Sequence, residues 1–175
     1  MTDEFAHRLP LNQIRDGERI DLVADEAERK LIADRLDLRS LDRLEAHATL
    51  ELKGEIIRAR GRLKASLCQS CVVTDDPVDA HPDEAFDIYF LPEPKTDSPD
   101  EEVELVESDC DVVFHDGSAI DLGGAIADTL ALSLDPYPRS AGAEAALKEA
   151  GVLSEAEAGP FAALAKLKRS DSDQP

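Results

Sequence analysis

The stretch from Leu44 to Cys71 constrains the fold more than any other part of the chain. Its first half places apolar residues on even positions: Leu44, Ala46, Ala48, Leu50 and Leu52. Its second half places them on odd positions: Ile57, Ala59, Leu63, Ala65 and Leu67. Alternation of this length is typical of strands with one buried face. Because the parity changes at Gly54-Glu55, we predict a two-residue type II′ turn there, with Gly54 at positive φ, and an antiparallel hairpin around it.

The second strand of this hairpin carries a row of cationic side chains on its polar face. The row consists of Arg58, Arg60, Arg62 and Lys64. The predicted register places these residues opposite Glu51, Thr49, His47 and Glu45, in that order. We expect the ion pairs Glu51–Arg58 and Glu45–Lys64, each worth a few tenths of a kcal/mol. These pairs would leave Arg60 and Arg62 free to contact phosphates or an acidic surface. A solvated face without a binding role is the alternative.

The charge balance limits the partners of the chain. Lys and Arg number 19 and Asp and Glu 39, which gives a net charge of −20 over 175 residues. Such a chain repels polyphosphates at long range, so non-specific nucleic-acid binding is disfavoured. Aromatic residues make up 4% of the chain and tryptophan is absent, which disfavours a base-stacking platform. Solubility alone would explain the acidity, and so would a basic partner such as a ribosomal protein.

The sequence also predicts the compartment. The start, MTDEFAHRLPL, lacks the basic and then apolar pattern of a signal peptide. No window approaches the roughly 20 apolar residues of a membrane span. Three cysteines, an odd number, argue against a disulfide framework. We therefore expect a cytoplasmic protein without membrane association.

The remaining patterns predict an α+β fold. We expect further strands at 5–11, 19–23, 85–91 and 111–115, and principal helices at 24–38 and 121–134. The first helix begins with acidic residues and has Ala27, Leu31 and Leu38 as its expected inward stripe. Asp121 is the expected N-cap of the second helix, whose interior carries Leu122, Ile126, Leu130 and Leu134. The sheet is expected to be mainly antiparallel, could close toward a barrel, and is flanked by the two helices.

The other segments complete the predicted organisation. Residues 93–111 hold nine acids and one lysine, which predicts a solvated loop that regains order at 103–106. Short helices are expected at 143–150 and 161–167, and a disordered end at 170–175. We therefore predict one domain at 1–140 and an alanine-rich helical tail at 141–175.

Chemistry-bearing motifs are sparse. Cys68-Gln69-Ser70-Cys71 supplies two thiols, whereas a zinc site needs four ligands, and Cys110 and the four histidines are not at zinc-knuckle spacing. A redox dithiol would need a helix to begin here, and Val72-Val73 does not predict one. We expect the pair to be semi-buried residues at a strand end, with zinc as the weaker alternative and no cofactor. No hydrolase elbow, phosphate loop or zincin signature is present, so we do not expect an enzyme.

An ordered set of short motifs resembles a known family. The set consists of Cys68-Gln69-x-Cys71 at a strand end, a strand with Phe86, an acidic loop, Asp116-Gly117, and Ile120-Asp121-Leu122 opening a helix that runs into Pro136. This order is similar to that of the YceD family, bacterial and plastid proteins named for accumulation of the large-subunit ribosomal RNA. The resemblance spans roughly residues 15–140. The segments LSLDPYPR at 132–139 and PFAALAKLK at 160–168 are similar to those of alphaproteobacterial members.

The chain departs from the family pattern at several positions. Ser70 stands where arginine is frequent, Asp128 where glutamate is usual, and Ser133 where proline is common. Residues 137–147 lack the second cysteine pair that many members carry, so half of any four-cysteine metal site is missing. The resemblance implies a factor that supports synthesis, processing or stability of 23S ribosomal RNA. The implied partner is this RNA or a pre-ribosomal particle, and contact through residues 58–64 is compatible with it.

Overall fold

The computed structural model describes residue 5, residues 7–93 and residues 111–152. Contacts divide the chain into two compact units. The first takes the described residues of Met1–Gln69 and Asp79–Pro136, and the second those of Ser70–Val78 and Tyr137–Pro175. The predicted order at 103–106, the helix at 161–167 and the disordered end at 170–175 lie outside the described residues. Most of the predicted tail does too, so the division into a domain at 1–140 and a tail at 141–175 stays a prediction.

The described elements form an α+β fold, as predicted. In chain order they are β1 (Arg8–Pro10), a 3-10 turn (Leu11–Gln13), β2 (Glu18–Val23), α1 (Glu26–Arg35), β3 (Ser40–Lys53), β4 (Ile56–Ser70), β5 (Pro77–Ala80), β6 (Asp83–Pro92), β7 (Asp111–His115), β8 (Ala119–Asp121), α2 (Leu122–Ser133) and α3 (Ala143–Glu149). The strands β5 and β8 have only four and three residues, too few for alternation to predict them.

The main sheet is mainly antiparallel, as predicted. Its strand order is β2-β3-β4-β6-β7, with β5 beside β4. Along this order only the β6–β7 pair is parallel. Strands β1 and β8 form a separate antiparallel pair. Within the described ranges, β2 and β7 are the two ends of the strand order, so the sheet is not closed into a barrel.

The hairpin of β3 and β4 has the predicted register. Lys53 lies opposite Ile56, and the pairing continues to Glu45 opposite Lys64. Gly54 has a φ of +65°, a conformation that glycine adopts without steric cost. Turn chemistry and apolar alternation specify the same register here, which is why the sequence was sufficient to predict it.

One face of the main sheet is buried in the hydrophobic core. Strands β3, β4 and β6 contribute Leu44, Leu50, Leu63, Ile88 and Phe90 to it. From α2, the predicted residues Leu122, Ile126 and Leu130 are fully buried, and Leu134 packs against them. Because strand side chains alternate between faces, the other face of these strands is left for polar residues.

The first helix has the expected start but a different buried side. The side chain of Asp25 accepts a hydrogen bond from the Glu28 backbone N–H, and Glu28 returns one to the Asp25 N–H, which forms a capping box. The predicted inward stripe was wrong at Ala27, which is exposed, and it missed the buried Ile32 and Ala33. Leu38 packs against the core as predicted. Turning Ile32 inward removes more apolar area from water than turning Ala27 inward would.

The second helix begins as predicted. The Asp121 carboxylate accepts a hydrogen bond from the Gly124 N–H at 3.0 Å. A Cβ atom on Gly123 would lie 2.0 Å from the backbone oxygen of Phe5. The backbone of α2 therefore passes close to the N-terminal segment at this glycine. No helix in the described part of the chain is long and apolar enough to cross a bilayer.

Candidate nucleic-acid interface

The four predicted contact residues lie side by side on one face of the sheet. Arg58, Arg60, Arg62 and Lys64 alternate along β4 with the buried core residues Ala59 and Leu63. Their side chains therefore point to the face opposite the hydrophobic core, which we call the open face. The structure thus brings together the row that alternation predicted.

Strand β6 supplies acidic partners to this row. Arg58 donates to both carboxylate oxygens of Asp87, with Nε–Oδ1 and Nη2–Oδ2 distances of 2.7 and 2.6 Å. Arg62 Nε donates to Asp83, and Lys64 Nζ lies 3.6 Å from the same carboxylate. The predicted pair between Glu51 and Arg58 is present at 3.7 Å. The cationic row is therefore an ion-pair ladder shared by three strands.

Two expectations about these ion pairs were wrong. Lys64 pairs with Asp83 rather than with Glu45, which instead accepts a hydrogen bond of 2.6 Å from Arg43. Arg60 and Arg62 are not free of acidic neighbours, because Arg60 lies 3.9 Å from Glu51 and Arg62 pairs with Asp83. The physical reason is the second neighbour of β4: β6 places Asp83 opposite Lys64 and Asp87 opposite Arg60, and a hairpin considered alone does not reveal it.

Arg60 is the most weakly held arginine of the ladder. Its Nη1 lies 3.9 Å from Glu51 and its Nε 3.7 Å from Asp87, distances too long for hydrogen bonds. The side chain is 55% exposed. The guanidinium of Arg60 can therefore take a new anionic acceptor without breaking a hydrogen bond to the described residues.

Hydrogen bonding keeps the acids of the ladder charged. The hydrogen bond from Arg58 lowers the pKa of Asp87, and the hydrogen bond from Arg62 lowers the pKa of Asp83. In return, the hydrogen bond to Asp87 raises the pKa of Arg58. These carboxylates stay ionised at neutral pH and fix the positions of Arg58 and Arg62.

The structure adds residues that sequence reasoning missed. Arg19 on β2 lies opposite Thr49, which in turn lies opposite Arg60, so a further arginine lies on the open face two strands away from the cationic row. The guanidinium of Arg58 lies over the Tyr89 ring at 5.1 Å from its centroid, a cation–π geometry. Alternation in 19–23 and 85–91 indicates the faces of Arg19 and Tyr89, but no local pattern indicates which strands lie beside them.

The open face is nearly neutral in a strongly acidic protein. Across the rows from Glu45 to Glu51, it carries five cationic and five acidic residues: Arg19, Arg58, Arg60, Arg62 and Lys64 against Asp21, Glu45, Glu51, Asp83 and Asp87. A groove of about 760 Å³ is lined by Thr49, Arg60, Arg62 and Asp87 of this face, together with Asp111 and Thr129 outside it. The whole chain has a net charge of −20. The open face therefore repels phosphates less than the rest of the protein surface does.

The two predicted cysteines have different surroundings. Cys68 lies half-buried near the end of β4, and Cys71 is buried just after it. In the second unit, the Cys71 thiol accepts a hydrogen bond from the Ser140 N–H at 3.2 Å. Burial alone would raise the pKa of Cys71, but hydrogen bonds from Ser140, Thr74 and Val73 lower it to about 6. Among the described residues, no cluster of three or more potential metal-ligating side chains is present, and the expectation of no cofactor stays a prediction.

Comparison with known proteins identifies the family. A model described as the large ribosomal RNA subunit accumulation protein YceD matches residues 59–168, more than half of the chain. The chain belongs to the YceD family. The match begins within β4 and includes Arg60, Arg62 and Lys64, whereas β2 and β3 precede it. The family resemblance is thus confirmed, and the alphaproteobacterial type stays a prediction.

Membership in the YceD family implies a role in the accumulation of large-subunit ribosomal RNA, which is a role in ribosome biogenesis. A comparison with curated proteins and one with solved structures each gave no match. The functional statement about this chain therefore rests on the YceD match.

Proposed function

We propose that this YceD protein is a non-enzymatic, cytoplasmic ribosome-biogenesis factor that supports synthesis, processing or accumulation of 23S ribosomal RNA. The observation that carries the proposal is the family match over residues 59–168. Its partner is the large-subunit RNA, alone or in a pre-ribosomal particle. The protein acts by binding.

The proposed contact surface is the row Arg58, Arg60, Arg62 and Lys64 on the open face. Its near neutrality supports the choice, since an RNA approaching elsewhere meets more of the protein's excess negative charge. The weak hold on Arg60 also supports it, because a planar guanidinium donates two parallel hydrogen bonds to a phosphate. Arg58 and Arg62, fixed by Asp87 and Asp83, would keep the shape of the site.

The second candidate is an acidic binding module or chaperone for a basic ribosomal protein, without RNA contact. The net charge of −20 favours it, because such a field attracts a basic protein over long range. The acidic segment 93–111 would be its contact region, and residues 94–110 lie outside the described part of the chain. The two candidates use different parts of the molecule, so variants can separate them.

Charge reversal of the row tests the first candidate. We expect the double variant Arg60→Glu/Arg62→Glu to bind large-subunit precursor RNA about 100-fold more weakly, because like charges placed together cost several kcal/mol. Titrations at several salt concentrations should also show a shallower salt dependence, by about 0.7 in the log–log slope for each lost phosphate contact on single-stranded RNA. The double variant Lys30→Glu/Lys148→Glu, with the same net charge, is the matched control and should bind as the native protein does.

Equal RNA binding by the native protein and the Arg60→Glu/Arg62→Glu variant would contradict the proposed contact surface. If the native protein binds a basic large-subunit protein but no RNA, the chaperone function is selected instead. Circular dichroism of each variant checks that the sheet is intact before its binding is interpreted.

A further inference from the structure

The open face has an apolar corner beside the ion-pair ladder. Strand β7 runs parallel to β6 and places Val112 beside Tyr89 and Phe114 beside Leu91. Neighbouring residues in this register share a face of the sheet, so all four side chains lie on the open face. Val112 is 37% exposed and Phe114 is 53% exposed. Water therefore reaches a bare phenyl ring on the same face as the arginines.

The exposure of Phe114 contrasts with the use of phenylalanine elsewhere in the first unit. Phe86 and Phe90 on β6 are buried in the core, and so is Phe5. Among the phenylalanines that the structure describes, Phe114 is the one whose ring lies outside that core. Single exposed apolar residues are common on protein surfaces. The exposure of Phe114 therefore indicates a binding site only together with the residues beside it.

Those neighbours combine flat rings with guanidinium groups. Arg58 lies opposite Tyr89 and covers its ring, while Val112 lies on the other side of Tyr89. Arg60 lies opposite Asp87 on β6, and Phe114 lies opposite Leu91, four residues further along the same strand. With about 4.8 Å between strands and about 3.3 Å per residue along them, roughly 16 Å separates Arg60 from Phe114. A short run of nucleotides can bridge this distance, with a phosphate at the ladder and a base at the apolar corner.

We propose that Phe114, with Val112 and Tyr89 beside it, is a stacking site for an unpaired base of RNA whose backbone contacts Arg60. This inference rests on the proposed function and specifies its ligand as single-stranded rather than duplex RNA. In a duplex the faces of the bases are hidden by stacking, whereas loops and bulges present them to aromatic side chains. The adjoining cationic row favours a phosphate-bearing occupant over an apolar protein segment.

Replacement of Phe114 tests the stacking site. We expect Phe114→Ala to bind a single-stranded large-subunit RNA oligonucleotide about 5- to 150-fold more weakly, the usual effect of removing a stacking ring. The salt dependence should be unchanged, since no phosphate contact is lost. Phe114→Trp keeps an aromatic ring and should bind the oligonucleotide as the native protein does. Leu132→Ala removes an exposed side chain of α2 and should also leave RNA binding unchanged.

The outcomes separate this inference from the proposed function. Native-like binding of single-stranded RNA by Phe114→Ala, together with weak binding by Arg60→Glu/Arg62→Glu, would overturn the stacking site and leave the proposed function standing. An equal loss for duplex and single-stranded RNA in Phe114→Ala would also overturn it. If the native protein binds a basic ribosomal protein but no RNA of either kind, both proposals fail.

Discussion

Replacing Gly61 by alanine is expected to destabilise the protein by about 1–3 kcal/mol, the usual cost of forcing an extra carbon into a packed site. A Cβ atom at this position would lie 1.9 Å from the backbone oxygen of His47 and 2.7 Å from Cζ of Phe86. The phenyl ring can rotate or shift, but the carbonyl belongs to β3 and cannot move without disturbing the hairpin. Denaturant unfolding followed by circular dichroism measures the loss.

Gly142→Ala is the matched control for Gly61→Ala. The φ of Gly142 is −86°, and the nearest heavy atom to its added Cβ lies 4.0 Å away. We expect no loss of stability there, and a gain of at most about 0.4–1 kcal/mol from the less flexible unfolded chain. Equal stability of Gly61→Ala and the native protein would show that β3 and β4 are not as close at Gly61 as described.

The largest loss of stability is expected for Phe90→Ala, about 3–5 kcal/mol. Phe90 is fully buried, with 0% of its surface exposed, and lies between Ile57 on β4 and Val113 on β7. Removing its ring leaves a cavity in the hydrophobic core against the sheet, which closes only in part because backbone hydrogen bonds hold β6 between its two neighbouring strands. The midpoint of urea unfolding, at constant m-value, reports the change.

Phe114→Ala is the control for Phe90→Ala, because it makes the same substitution on the opposite face of the next strand. With its ring half exposed, we expect a loss of about 1 kcal/mol or less. Similar losses for the two variants would contradict the assignment of buried and open faces. A stable Phe114→Ala protein also ensures that its RNA affinity reports binding rather than unfolding.

The hairpin could be predicted from the sequence because its information is local. Gly54 fixes the turn, and alternation fixes the face of each residue, so the pairing of Lys53 with Ile56 follows. The same reasoning explains the success at α2, where Asp121 caps the helix and the four-residue apolar spacing gives its buried side. In each case the side chains that decide the structure are close neighbours in the chain.

The Glu51–Arg58 pair within the hairpin could be predicted, but the ion pairs with β6 could not, because their partners are distant in sequence. Asp83 and Asp87 reach the ladder only through the pairing of β4 with β6, and Arg19 only through the pairing of β2 with β3. Charges on β4 alone therefore suggested two free arginines. The proposed stacking site brings together residues of β6 and β7, which pair in parallel, and no local pattern in the sequence indicates that these two strands are neighbours.

Photo-crosslinking in growing cells tests the central claim, that the open face contacts large-subunit RNA, most directly. A benzophenone side chain in place of Thr49 lies between Arg19 and Arg60 in the sheet register and leaves every arginine intact, and the same group in place of Lys30 on α1 is the control. The prediction is that position 49 crosslinks to 23S ribosomal RNA or its precursor and position 30 does not. Crosslinks to this RNA from position 30 alone, or from neither position, would contradict the claim.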